Sequence, residues 1–396
     1  MSFRFNFDVD DSGDRITTPE PVAGNFSVSV TSNIKEEKEQ QISTQAEPCE
    51  IISLSVPTVS SIVVDAVYYK NQQLWKRQID DVQFQLAQQD SMDGSNESAM
   101  VKAMVEDKNA SDVIKGVYEG GLKTWECSID LLNYIVDYSD EISKLINGGN
   151  VLEIGCGTAL PSLHILRNIS GACVSMQDYN KDVLELVTMP NVLSNTDLEP
   201  PSGGDSPGYK IHVDGDTETC EIDLDYRRTQ VLFGDNTDNV IGERDIPELT
   251  KDEAEAADAQ ILNYADIKSR CEFIAGDWSE IEKELRRYER QHSFNLILTS
   301  ETIYETSNYK KLHDLLACAL AKPAAKSMGG NEKALPLPMA LVAAKTLYFG
   351  LTGSVLTFKQ YVRSQGIFNI ECVWQSGGSM NREILCLTWQ APPQHI

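Results

Sequence analysis

From residue 150 onward, short apolar runs alternate with longer stretches whose apolar positions recur every three or four residues. The run at 150–154 begins the series, and 172–176, 271–275, 294–299 and 338–344 repeat it. Each has strand length and no polar face, the pattern of a strand covered on both sides. Between them the spacing predicts helices near 160–168, 180–194, 278–290, 306–321 and 353–365, and an upstream helix carries Ile129, Leu132, Ile135 and Val136 on one face. Such alternation marks a doubly wound, parallel α/β sheet. Two alternating runs, Phe368 to Gln375 and Glu383 to Gln390, joined by Ser-Gly-Gly-Ser-Met-Asn, predict a C-terminal antiparallel hairpin and bring the strands to seven. Ahead of this domain, β-branched residues between Ile51 and Lys70 predict one or two accessory strands, and 89–110 reads as a linker.

The charge pattern divides the chain further. Its net charge is −26, and residues 1–50 hold 4 basic and 10 acidic side chains while residues 197–267 hold 5 and 19. Both segments are rich in Ser, Thr, Pro, Gly, Asn and Asp. The first is expected to be a disordered acidic tail and the second a loosely attached insert outside the sheet. The expected organisation is a tail at 1–50, accessory strands and linker at 51–110, and one domain at 111–396 interrupted by the insert at 197–267. Such a field serves solubility or steers a basic partner. Direct nucleic-acid binding is not expected, because the clustered Lys and Arg that hold phosphates are missing from the sequence. No apolar run reaches the roughly 18 residues of a membrane span, and the opening Met-Ser-Phe-Arg-Phe-Asn-Phe-Asp has no signal-peptide core, so an intracellular protein without a membrane anchor is expected. The nine cysteines lack C-x-x-C spacing, and Cys173, Cys271 and Cys386 fall in or beside apolar runs, as reduced core residues do. His164, His212, His292, His313 and His395 show no paired metal-ligand spacing, so no metal is expected.

Residues 151–157, Val-Leu-Glu-Ile-Gly-Cys-Gly, run a strand into two glycines, a turn whose backbone can approach a ligand where a side chain would block it. Such turns also occur with no ligand. A dinucleotide fingerprint wants a third glycine where Leu160 stands, which disfavours a nicotinamide cofactor. Asp178 falls where a ribose-binding carboxylate sits, at the tip of the neighbouring strand, and it also suits a cap for the helix beginning near Lys181. Ligands of open α/β sheets bind beyond the carboxyl ends of the strands. Those ends are Gly155 and Gly157, then Gln177, Asp178 and Tyr179, then Gly276-Asp277-Trp278, then Thr299 to Tyr304, then Lys345. Asp277 offers an acceptor for an exocyclic amine and Trp278 a flat face, which together would make an adenine slot; Trp278 equally suits a core anchor for the next helix.

Several of these segments occur together in one known family. Gly116 to Ser128 (GVYEGGLKTWECS), VLEIGCG, QDYN at 177–180, VTMPNV at 187–192, GDWSE at 276–280, LTSETIY at 298–304 and the Lys345 to Gly353 loop resemble the protein-histidine N-methyltransferase family, as does the opening FRFNF. The resemblance spans about residues 1–7 and 112–390, and the linker and the acidic insert match poorly. It implies a Rossmann-like, seven-strand class I methyltransferase sheet, S-adenosylmethionine as cofactor, and as substrate a histidine of a basic large-subunit ribosomal protein. It thereby implies a cytoplasmic, nuclear or nucleolar location, and a monomer is expected. By position it implies that Thr124, Trp125, Glu126, Cys127, Ser128 and Gly155 hold the methionine end of the cofactor, with Gly157 in the same turn. Gln177, Asp178 and Tyr179 would take the ribose, Gly276, Asp277 and Trp278 the adenine, and Ser300 would close the site.

Histidine needs no strong base, since at a reference pKa of about 6.5 its imidazole is mostly neutral at pH 7. It needs the right tautomer. Glu301 is the candidate acceptor for the opposite N–H, Tyr304 would shape the slot, and Lys345 is a third candidate beside them. Glu301 also suits a helix N-terminus, where the macrodipole favours a carboxylate. Two other readings remain open on the sequence. One is a lysine methyltransferase of the same group, which must first shed an ammonium proton. The other is an acidic chaperone for a ribosomal protein that keeps the pocket only for stability.

Overall fold

The computed structural model describes residues 46–85, 120–200, 208–226, 264–323, 336–377 and 381–390. The tail to residue 45, the linker expected at 89–110 and the insert's stretch 227–263 lie outside them. The described chain opens with strands β1 (Glu50–Ile52), β2 (Ser61–Tyr69) and β3 (Gln72–Arg77), followed by helices α1 (Glu126–Asp137) and α2 (Ser139–Ile146). Then come β4 (Asn150–Ile154), α3 (Leu160–Asn168), β5 (Cys173–Asp178) and α4 (Lys181–Val183), which runs through a π-helical turn (Leu184–Thr188) into α5 (Met189–Thr196). The insert contributes β6 (Tyr209–Asp214) and β7 (Thr217–Asp223). The remainder alternates as β8 (Cys271–Ala275), α6 (Trp278–Arg287), β9 (Phe294–Ser300), α7 (Tyr309–Ala319), β10 (Met339–Lys345) and α8 (Val355–Gln365), then closes with β11 (Phe368–Gln375) and β12 (Arg382–Trp389).

The main sheet runs β1-β8-β5-β4-β9-β10-β12-β11. Strands β8, β5, β4, β9 and β10 are parallel, and β12 and β11 add the expected antiparallel hairpin. Counted from β4 and leaving out β6 and β7, which belong to the second sheet, the seven strands of the main sheet lie in the order 3-2-1-4-5-7-6, so the winding reverses between β4 and β9. In a doubly wound sheet the crevice at that reversal takes the ligand. Alternate β4 residues serve opposite layers: Val151 packs with α1, α2, α3 and α5, while Leu152 and Ile154 pack with α6, α7 and α8. Local sequence sets the helix ends. Asp277 caps α6 by accepting Ser279 N–H at 2.9 Å, Ser354 caps α8 by accepting Thr357 N–H at 3.1 Å, and α8 stops at Gly366 with φ 66°.

The structure corrects the sequence reading in three places. The sheet has eight strands rather than seven, because β1 adds antiparallel to the β8 edge, Ile51 opposite Ile274. Glu50 therefore belongs to the sheet and not to a disordered tail. The accessory strands and the described strands of the insert are not separate, loosely attached pieces: β3-β2-β7-β6 form one antiparallel sheet, with Ile62 opposite Ile222 and Val64 opposite Cys220. Cys220, Ile222 and Leu224 are fully buried, and the acidic residues between them face outward, so the alternation was masked by the charge. Third, β5 extends to Asp178, which puts Gln177 and Asp178 inside the ladder opposite Ile274 and Ala275.

Glu153 is a charged-type residue in the middle of this core. It is buried on the α3 side of β4, where one carboxyl oxygen accepts Ser162 N–H at 3.1 Å and a second bond from the Ser162 hydroxyl. Its other oxygen has no hydrogen-bond partner among the described residues. Burial pushes its pKa up to about 7, opposed by the Ser162 bonds and assisted by Asp178. A carboxyl raised in the folded state stabilises fully below its unfolded pKa and loses that contribution as pH rises through the folded value. Glu153→Gln keeps the acceptor for Ser162 without a charge to bury. It should raise stability by about 3 kcal/mol near pH 8 and by little near pH 4. Denaturant unfolding at the two pH values measures this, and an equal effect at both would dismiss a protonated Glu153.

Candidate functional site

The glycine turn after β4 is held from three sides. Gly155 and Gly157 lie in the left-handed region, with φ 62° and 50°. A Cβ would come within 2.9 Å of Thr302 Cγ2 at the first and 2.9 Å of Gly121 O at the second, so close packing of the protein itself requires both glycines. Gln177, fully buried, accepts Gly155 N–H at 3.1 Å and Trp278 Nε1–H at 3.1 Å on one oxygen, and its amide donates to Gly276 O at 3.1 Å. Its carboxamide thus ties together the ends of β4, β5 and β8. Asp178 accepts Gly157 N–H at 3.0 Å on one oxygen and Asn180 N–H at 3.1 Å on the other. Tyr179, half-buried, follows directly at the end of β5.

At the end of β8 the structure assigns clear local duties. Both oxygens of Asp277 are engaged: one accepts Ser279 N–H and hydroxyl at 2.9 and 2.6 Å, the other accepts Lys311 Nζ at 2.7 Å. Burial pushes its pKa up, but the Lys311 and Ser279 bonds outweigh that and hold it below the ordinary aspartate value. Gly276 has φ 123°, and a Cβ there would collide with Pro48 O. Asp277 N–H donates to Glu47 O at 3.0 Å. The segment before β1 therefore lines this strand end, which the sequence did not suggest. Trp278 stays half-buried, fixed through its indole N–H to Gln177.

Across the reversal, β9 ends at Ser300, opposite Ala343, and the chain turns sharply at Glu301. Glu301 has φ 57°, a left-handed backbone that a non-glycine residue adopts at a cost of roughly 1 to 2 kcal/mol. Its backbone N–H is held by Ala343 O at 2.9 Å. The side chain is buried, and Oε1 accepts no hydrogen bond among the described residues, with Lys345 Nζ 3.7 Å away. Lys345 also lies 3.5 Å from Glu126 and 5.4 Å from the centre of the Trp125 ring. Burial first and Glu301 second push both the Cys127 thiol and the Tyr348 phenol up, so both flank the carboxylate as neutral groups. Tyr304 packs edge-on to Tyr348 with ring centres 6.4 Å apart.

The first turn of α1 joins the two groups. Thr124 Oγ1 lies 3.0 Å from Thr158 Oγ1 of the glycine turn, and Trp125 Nε1–H donates to Gly120 O at 3.0 Å. Ser128 Oγ is buried without a hydrogen-bond partner among the described residues. Three residues in or beside the site carry duties the sequence reading did not assign. Tyr348, three residues past Lys345, offered the signal of an aromatic side chain beyond a strand end. Thr188 and Asn191 stand in the VTMPNV segment, whose position could be read but whose purpose could not.

No family model matches the chain. It is 29% identical over 280 residues to a histidine protein methyltransferase 1 homolog of Dictyostelium discoideum, covering 70% of this chain and 60% of that protein. The mouse homolog is 30% identical over 283 residues, 71% of this chain and 60% of its own length. The histidine protein methyltransferase 1 of Schizosaccharomyces pombe is 30% identical over 328 residues, 81% of this chain and 78% of that protein. The chain thus spans about three fifths of the first two relatives and more than three quarters of the third. It belongs to the histidine protein methyltransferase 1 family.

Proposed function

We propose that this chain is an S-adenosylmethionine-dependent methyltransferase acting on an imidazole nitrogen of a histidine in a basic protein, with a large-subunit ribosomal protein as the substrate class. The observation that carries the reading is Glu301: a buried side chain on a left-handed backbone, whose Oε1 accepts no hydrogen bond among the described residues and lies 3.7 Å from Lys345 Nζ, at the sheet's reversal, in a chain of this family. Strain and an unsatisfied acceptor persist where a ligand uses them. A second orphaned atom, Ser128 Oγ on the helix that Thr124 ties to the glycine turn, fits a polar cofactor beside that turn. Thr124 to Ser128 and Gly155 would hold its methionine end and Asp178 its ribose. Asp277, with one oxygen holding both Ser279 groups and the other paired with Lys311 Nζ, leaves the adenine to the face of Trp278 and the neighbouring backbone. The net charge of −26 suits a basic substrate, which such a field draws in and orients.

When bound, the cofactor supplies an electrophilic methyl group on sulfur. The protein's task is alignment, because a neutral imidazole already carries the lone pair that attacks. Glu301 accepts the N–H of the opposite ring nitrogen, which selects the tautomer with its lone pair free. It then faces the positive charge that the ring gains on methylation, until that N–H proton leaves to solvent. Lys345, with Nζ 3.7 Å from Glu301 Oε1, helps hold that side chain in place, Tyr348 and Cys127 flank it as neutral groups, and Tyr304 borders the slot. A ribosomal-protein substrate would be met in the cytosol or nucleus, and the chain is proposed to act there as a monomer.

Incubation with labelled S-adenosylmethionine and ribosomal proteins, followed by fragmentation of the labelled product, should place the methyl group on histidine. Label on lysine would replace the histidine reading, and tight binding without label would favour a chaperone. The rate should rise with pH through about 6.5 and then level, since only the neutral imidazole reacts, whereas a lysine acceptor would keep gaining towards about 10.4. Glu301→Gln should lower the rate about 10²- to 10⁴-fold while leaving S-adenosylhomocysteine affinity intact. Glu301→Gly should be equally inactive yet about 1 kcal/mol more stable, because glycine adopts the left-handed turn freely; a loss of stability would show that the turn is unstrained. Asp178→Lys should abolish S-adenosylhomocysteine binding in calorimetry, and unchanged affinity would remove the ribose assignment.

A further inference from the structure

The helix through Leu184 to Thr196 is interrupted by Pro190, and the interruption is used. Proline has no N–H to give the carbonyl four residues earlier, which is Leu186 O. That carbonyl lies in the π-helical turn and accepts Arg77 Nη1 at 2.7 Å instead. Arg77 stands on β3, 3% exposed, with its other nitrogens on Asp81 and Gln85. Its pKa is lowered by burial and only partly restored by Asp81, so the guanidinium is held there at a cost in hydration.

The same helix satisfies the open edge of the second sheet. β3 is an edge strand in β3-β2-β7-β6, and its outward backbone groups need partners. Asn195 accepts Trp75 N–H at 2.8 Å and donates to Trp75 O at 2.7 Å, and Asn191 accepts Arg77 N–H at 2.7 Å. A side-chain amide carries the donor and acceptor of a peptide, so two asparagines two strand positions apart take the place of a neighbouring strand. Asn191 also reaches the other way, donating to Thr158 O at 3.0 Å, and Thr188 Oγ1 donates to Gly157 O at 2.7 Å. All three side chains are almost wholly buried.

We infer that Thr188 and Asn191 are positioning residues for the cofactor turn, with Asn191 fixing the Thr158 carbonyl from the edge of the second sheet. The inference rests on the proposed cofactor site. The two hydrogen bonds hold consecutive carbonyls, those of Gly157 and Thr158, which aims the intervening peptide and the N–H groups that follow it. The VTMPNV segment then has a purpose: Thr188 and Asn191 act on the turn, and Pro190 frees the carbonyl that fastens their helix to Arg77.

The test compares two isosteric changes on one helix in the full chain. Asn191→Asp keeps the acceptor for Arg77 N–H and sets a carboxylate against Thr158 O; Asn195→Asp makes the same charge change one turn away, at a residue that does not touch the glycine turn. Two readouts apply: amide hydrogen exchange at Gly157 to Leu160 in ligand-free protein, and S-adenosylhomocysteine affinity by calorimetry. Asn191→Asp should speed exchange at least tenfold and weaken affinity at least tenfold, while Asn195→Asp should leave both within about twofold even if it lowers the Tm. Thr188→Val should behave like Asn191→Asp, and Thr188→Ser should restore both readouts. Exchange or affinity losses that follow Tm alone, in Asn195→Asp as in Asn191→Asp, would overturn the inference. If the unaltered chain binds no S-adenosylhomocysteine, the proposed function falls, and the exchange measurement still decides whether Asn191 and Thr188 hold the turn.

Discussion

The mouth of the main sheet depends on one buried carboxamide. Gln177 has two lone pairs on its oxygen, and the glycine turn and Trp278 use both, while its nitrogen serves the Gly276 carbonyl. No shorter or charged side chain could meet this set of partners, because the site asks for an acceptor and a donor on the same planar group. Losing it would leave buried backbone groups unpaired, each worth roughly 1 to 3 kcal/mol. Every other site group is placed relative to the three strand ends that Gln177 fastens. The ribose candidate Asp178 is the next residue, and Gly155, whose N–H Gln177 takes, lies against Thr302, next to Glu301.

Rigid and strained parts meet at this mouth. The β4 turn, the β5 end and the β8 end are saturated with hydrogen bonds. Across the reversal, Glu301 combines a costly backbone with an Oε1 that accepts no hydrogen bond among the described residues, and Ser128 Oγ also lacks a hydrogen-bond partner among them. Such a division suits a catalyst whose work is alignment: under the proposed function, the rigid wall would fix a cofactor and Glu301 would offer its acceptor to a substrate. Lys345 is shared between Glu126 and Glu301 at 3.5 and 3.7 Å, so it balances their charge without closing a hydrogen bond on either.

Much of this could be read from the chain because the central strands are buried on both faces and therefore appear as unbroken apolar runs. The glycine turn, Asp178 and the GDWSE segment announced themselves by strand-end position. β5 ended too early in that reading because Gln177 and Asp178 are polar, and nothing in the sequence says that they pair inside a ladder. The second sheet was missed for a different reason. Its inward residues Cys220, Ile222 and Leu224 alternate with Glu221 and Asp223, and a dense acidic stretch looks like solvated loop whatever lies beneath it. The link from Pro190 through Leu186 O to Arg77 joins residues more than a hundred positions apart, and no local pattern encodes it.

The pairing of Ile62 with Ile222 also fixes an order of events during synthesis. The hairpin of β2 and β3 is made early, but two strands alone are marginally stable in water. The strands that complete it, β6 and β7, are synthesised only after β4, the glycine turn and β5. Until then the edge that Asn191 and Asn195 grip has no firm sheet beneath it. The described strands of the acidic insertion are thus less an ornament than part of the turn's support, and a nascent chain cut short before residue 222 would carry Gly155 and Gly157 without a complete sheet behind Asn191 and Asn195.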